Sequence, residues 1–173
     1  MSGTSKPKHP LFAAFEEHVH VAVLNRIGAG NDDLEEYVVD LLCRFLRTDG
    51  LFALRSEDGR RISSVIEMAA EGDIRLKADS FEQERRVHRH IGDYILFWSG
   101  IYPDFLNRLR LDGGLDLLCD YTHRAKESYY LVSTFDYPPH SDAAPVFKRL
   151  SEQFVPLSVA LADVRVSIPL SVA

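Results

Sequence analysis

From Val87 to Ile101 the chain reads VHRHIGDYILFWSGI, and apolar residues recur at 87, 91, 94, 95, 98 and 101. Steps of three and four match the ~3.6 residues per turn of an α-helix, whereas a half-buried strand alternates at every second residue. Asp79 or Ser80 can cap this segment, which the spacing carries to about Gly100. Its apolar sector is set by Val87, Ile91, Tyr94, Ile95, Trp98, Ile101 and Tyr102. A long helix with so heavy a stripe must be covered by other elements, and this requirement constrains the fold most. Phe97 points away from the sector, which predicts cover on more than one side: a central helix or a subunit interface.

The same periodicity recurs elsewhere. Phe12, Phe15, Val19, Val23 and Ile27 mark a helix stopped at Gly28. Leu34, Val38, Leu41, Leu42, Phe45 and Leu46 mark a second, capped by Asn31 or Asp32 and ending at Asp49–Gly50; Asp32 and Glu35 resemble a capping box. A short helix covers 64–71 before Gly72, and Pro103 opens another that ends near Arg110. After Gly113–Gly114 a long helix is predicted over 115–135, then a loop at 137–142. The last helix covers 144–164, where Pro156 kinks or splits it. Residues 51–62 read as a small β-hairpin around Asp58–Gly59. The expected fold is mainly α: one domain over 11–173, an irregular bundle of five to seven helices with that hairpin, behind a flexible arm at 1–10.

With 173 residues, 46% of them hydrophobic and 27% charged, the chain can build a core. A formal net charge of −6 provides no general field for nucleic acid, and no apolar run is long enough to span a bilayer. No leader-type apolar segment follows the first ten residues, so a cytoplasmic location is expected. Cys43 and Cys119 sit within apolar-periodic runs and read as buried free thiols.

The chemistry-bearing candidates are few. On the helix over 80–100, Glu82, Arg85, Arg86, Arg89 and Asp93 lie opposite the apolar sector and read as a solvated face with Glu82–Arg86 and Arg89–Asp93 pairs. His90 falls at the border. Glu84 and His88 differ: they are four residues apart, with the carboxylate aimed near the apolar sector, where it needs a partner, a ligand or a metal. A small-ligand site around Glu84 and His88 would draw on Trp98 and Tyr121. A metal site would draw on Glu84, His88 and His123, with His20 a more distant candidate.

Glu17–His20 and Asp120–His123 mimic the carboxylate–histidine spacing of helix-bundle metal sites. Direction argues against the second, because Asp116, Asp120, His123 and Glu127 fall opposite the apolar face of the helix over 115–135. Tyr94, Trp98, Tyr102 and Phe105 read as core, or as the wall of a flat-ligand pocket with His88 as axial ligand to a non-covalent haem. No cofactor is expected, though metal and haem stay open. Gly28–Ala29–Gly30 lacks the preceding strand of a nucleotide loop, and no nucleophile motif is present.

The runs RHIGDYILFWSGIYPDFL, YTHRAKESYYLVSTF and VFKRLSEQFVPLSVALADVR resemble uncharacterised bacterial proteins over about residues 10–165. The resemblance implies a bacterial, cytoplasmic, largely helical protein and assigns no catalytic residue. Two roles remain. One is a non-enzymatic protein acting through protein contacts, as a homodimer or with another partner, its apolar tail VRVSIPLSVA packed on the body or a partner. The other is a small-ligand or metal-binding protein centred on Glu84 and His88.

Overall fold

The computed structural model describes residues 10–112 and 114–168. Nine helices occur among them: α1 (Pro10–Arg26), α2 (Asp32–Phe45), α3 (Thr48–Leu51), α4 (Val65–Gly72), α5 (Phe81–Ile101), α6 (Pro103–Leu111), α7 (Tyr121–Ser133), α8 (Ala144–Glu152) and α9 (Phe154–Ser167). The mainly α expectation holds, with more segments than the five to seven expected. The last expected helix is two, broken at Gln153 three residues before Pro156. The single turn of α3 separates from α2 after Phe45.

No strand occurs among the described residues. The expected hairpin reduces to one antiparallel bridge between Arg55 and Arg61. The turn itself is as read, with Gly59 at φ +81°. The flanks pair only briefly, Ser56 N–H donating to the Arg60 carbonyl at 2.9 Å and Ile62 N–H to the Leu54 carbonyl at 3.3 Å, too short a ladder to make strands. Leu54 and Ile62 are drawn into the core, and Ser64 leaves to cap α4 through its hydroxyl. The arm over 1–9 and the tail over 169–173 lie outside the described residues; of the rest of the tail, Val164 is buried and Val166 exposed.

α5 is the axis of the fold. It contacts α2, α4, α6, α7 and α9, while α1 packs on α2 and α9, and α8 on α7. Every residue from His90 to Trp98 is buried, so the stripe read from sequence is only part of what α5 buries. Phe97 packs edge-on to Phe45 of α2 at 5.5 Å, which fulfils the expectation of a second covered side within this chain. Close approach is achieved by omitting side chains. A Cβ on Gly92 would lie 2.6 Å from the Tyr129 ring of α7, and one on Gly100 would lie 2.3 Å from Leu161 of α9.

Wrapping α5 on all sides carries polar residues inward. Asp93, read as solvated, is 1% exposed. It accepts hydrogen bonds from Tyr37 at 2.7 Å, Tyr129 at 2.8 Å and Arg44 at 3.1 Å, and Arg89 lies 3.8 Å away. Burial first, and the Asp93 charge next, push both tyrosine hydroxyls well above their ordinary range, so they remain protonated donors. Arg85, also read as solvated, is 8% exposed. His90, read as a border residue, is equally buried, between Phe45 and Tyr94. Of that expected polar face, Glu82 and Arg86 stay exposed, and Glu82 pairs with His140 rather than with Arg86.

The segment 115–120 also departs from expectation. It is a turn, and α7 begins only at Tyr121, because the Asp120 side chain caps it by accepting the His123 N–H at 3.0 Å. That bond accounts for the Asp120–His123 spacing. Asp116 is 1% exposed, not solvated. It accepts from the N–H groups of Val65 and Ile66 at 2.9 and 3.0 Å, from Ser64 at 2.7 Å and from Tyr121 at 3.1 Å. A carboxylate there also complements the N-terminal end of the α4 dipole. With Asp116 turned inward, Leu115, Leu117 and Leu118 are thrown outward, at 67%, 52% and 94% exposure.

Candidate functional site

A cleft of about 550 Å³ opens where the end of α4, the first half of α5 and α7 meet. The Ser80 hydroxyl caps α5 by accepting the Gln83 N–H at 3.2 Å, which fixes the phase that places Glu84 and His88 one turn apart. Both are half-buried in the cleft wall. Gly72 ends α4 directly against this turn; a Cβ there would stand 2.8 Å from Val87 and 3.3 Å from the His88 ring.

His88 is oriented from α7. Its Nδ1 lies 3.1 Å from Ser128 Oγ. Burial, and then the charge of Arg124, lower its basicity, and Asp73 and Glu127 offset this only in part. The imidazole is therefore neutral near pH 7 and can accept or donate a hydrogen bond. Asp73 is held by Arg75 through two side-chain contacts, at 2.8 and 3.1 Å, and a backbone N–H at 2.8 Å, which hold its carboxyl at about 2. Glu127 lies 3.6 Å from Arg124 and 3.1 Å from His123.

Glu84 is the uncommitted group. Among the described residues it makes no hydrogen bond or ion pair, and the Arg75 fork beside it is occupied by Asp73. Sequence reading put Glu84 near the centre of a buried sector. Instead, α4 ends beside this side of α5, so the pair lines an open cleft rather than a core.

The other expected members do not join it. Trp98 stacks on Phe105 at 4.1 Å, and Tyr94 packs against both, so these aromatics fill their own space. Tyr121 belongs to the Asp116 cluster. His123 is exposed and pairs with Glu127 one turn outside the cleft, and His20 pairs with Glu35 at 2.9 Å. Among the described residues, no three His, Cys, Asp or Glu side chains are grouped to hold a metal ion.

Cys119 is buried and Cys43 half-buried; both are free, and burial raises both thiols above their ordinary range. Ser128 and His88 are at nucleophile–base distance, but Ser128 is buried and no carboxylate hydrogen-bonds the imidazole among the described residues.

Sequence reading missed Arg75, Arg124, Ser128 and Tyr130, which share the cleft wall with Glu84 and His88. Only Ser128 carried a signal, as a small polar residue between Ala125 and Tyr129 on the inner face of α7. Comparisons with family models, curated proteins and solved structures return no match for this chain. No helix among the described residues is long and apolar enough to cross a membrane.

Proposed function

We propose that this protein binds a small polar molecule in the α4–α5–α7 cleft, without covalent chemistry. The observation that carries the reading is Glu84, an uncommitted carboxylate one turn from a neutral, oriented His88. Such a pair is complementary to an amine or a hydroxyl, and Arg124 and Tyr130 add further donors. A panel of primary amines and polyols, followed by thermal melting, tests it. At least one class is expected to raise the melting temperature of the native protein, with the shift lost in Glu84→Gln and in His88→Ala. Unchanged shifts in both variants would remove the reading.

A second reading is favoured by a separate observation, the three outward leucines held on a loop that Asp116 anchors. Apolar groups fixed outward are the ordinary mark of a contact surface, and a second copy of the chain is the occupant we assign. Light scattering at rising concentration is expected to show a dimer that Leu118→Glu disperses. A monomer throughout refutes it.

A further inference from the structure

Three arginines, Arg44 of α2 and Arg85 and Arg89 of α5, gather where α5 meets α2 and Phe147 of α8. Two are accounted for: Arg44 reaches Asp93 at 3.1 Å and Asp40 at 2.7 Å, while Arg89 donates to Tyr37 at 3.1 Å and lies 3.8 Å from Asp93. Arg85 is not. The residue is 8% exposed, yet it makes no side-chain ion pair or hydrogen bond among the described residues; its Nε is fully enclosed without a partner, and its terminal nitrogens keep what opening remains. The neighbouring carboxylate one turn back, Glu82, is engaged by His140 at 2.7 Å. A guanidinium largely withdrawn from water, with an enclosed N–H left unpaired and no counter-ion, is costly, and such groups are kept where something else completes them.

Arg85 lines a second cleft, of about 440 Å³, separate from the one around His88. One wall is apolar and aromatic: Phe12, Val146 and Phe147, with Arg85 lying over the Phe147 ring at 5.6 Å. The opposite wall, on α2, carries Asp33, Glu36 and Asp40. These features select a ligand class. The guanidinium fork matches a carboxylate, and the aromatic wall matches an apolar body. The α2 carboxylates repel multiply charged anions such as phosphates, and they can accept an ammonium group on the same molecule. We propose that this α2–α5–α8 cleft binds an organic monocarboxylate with an apolar or aromatic body, its carboxylate seated on Arg85 and any amino group turned toward α2.

Titration calorimetry with hydrocinnamate, free phenylalanine and inorganic phosphate tests this on the full chain. Hydrocinnamate and phenylalanine are expected to bind, phenylalanine more tightly, and phosphate more weakly than either. Arg85→Leu should weaken carboxylate binding by roughly tenfold or more, the scale of a lost charged hydrogen bond, and Arg85→Lys should weaken it less. The same Arg85→Leu protein should melt at a higher temperature than the native one without ligand, because an uncompensated buried charge has gone. A structural arginine would give the reverse. Absence of binding by both carboxylates at millimolar concentration, undiminished binding in Arg85→Leu, tighter binding of phosphate, or a lower melting temperature in Arg85→Leu each overturns the proposal.

Discussion

Two carboxylates lie at the same depth in this protein and are stabilised in different ways. Asp93, at mid-height of α5, is held by side chains: hydroxyls from α2 and α7 and a guanidinium from α2. Asp116, in the turn before α7, is held chiefly by the first backbone N–H groups of α4 and the hydroxyl that caps it. The first arrangement gathers ionised and polar groups, and without the aspartate the two buried hydroxyls lose their acceptor and two guanidinium groups lose the carboxylate between them. The second satisfies N–H groups that every helix leaves open at its start, neutral donors rather than ionised ones. The same residue type at the same burial should therefore differ in worth.

Removing each carboxylate tests the difference directly. Asp93→Ala leaves Arg44 only the exposed Asp40, removes the carboxylate beside Arg89 and strands the buried Tyr37 and Tyr129 hydroxyls, and should cost about 3–5 kcal/mol in denaturant unfolding, enough to unfold a marginal domain. The next effect is one of pH. Burial holds His90 at about 4 against an ordinary value of 6.5, with Arg44 adding to the depression and Asp93 opposing it. The folded state thus binds this proton less readily than the unfolded chain does. The His90 contribution is flat above pH 6.5, is lost progressively as pH falls toward 4, and levels off below that. It amounts to roughly 3 kcal/mol. His90→Leu should flatten that part of the stability profile, leaving the Asp116 region as it was.

Asp116→Ala should cost less, about 2 kcal/mol, the scale of a lost cap with one further hydrogen bond. An equal or larger cost than that of Asp93→Ala would break the contrast. The smallest effect belongs to the exposed His123–Glu127 pair, where His123→Ala should change stability by less than about 0.5 kcal/mol.

Much of the helical framework was legible because it depends on local rules. The cap at Ser80, the stops near Gly28 and Gly72, and the start at Pro103 are each decided within a turn of chain. Burial of Arg85, His90 and Asp93 was not, because a helical wheel shows the face a helix prefers to bury, not how many neighbours surround it. Phe97 off the stripe was the sign that α5 is wrapped. The segment 115–120 failed for another reason. Its leucines continue the apolar period of α7 backward, and only the side-chain cap by Asp120 shows that the helix has not yet begun. Of the candidate site, the Glu84–His88 pair was legible from spacing alone. The residues that complete its cleft come from α4 and α7, and no rule of sequence spacing links them to α5.

The glycine before Asp93 has a consequence for how the molecule opens. Without a side chain at 92, the Tyr129 ring rests on the α5 backbone and its hydroxyl reaches the adjacent carboxylate. α2 and α7 are thereby tied to one acceptor on α5. Neither can fray inward to that point without exposing a charge the other still holds. Amide protons in the middles of α2, α5 and α7 should then exchange with solvent at a common free energy of opening, as one unit, while α3 and the turn at 114–119 exchange earlier and independently.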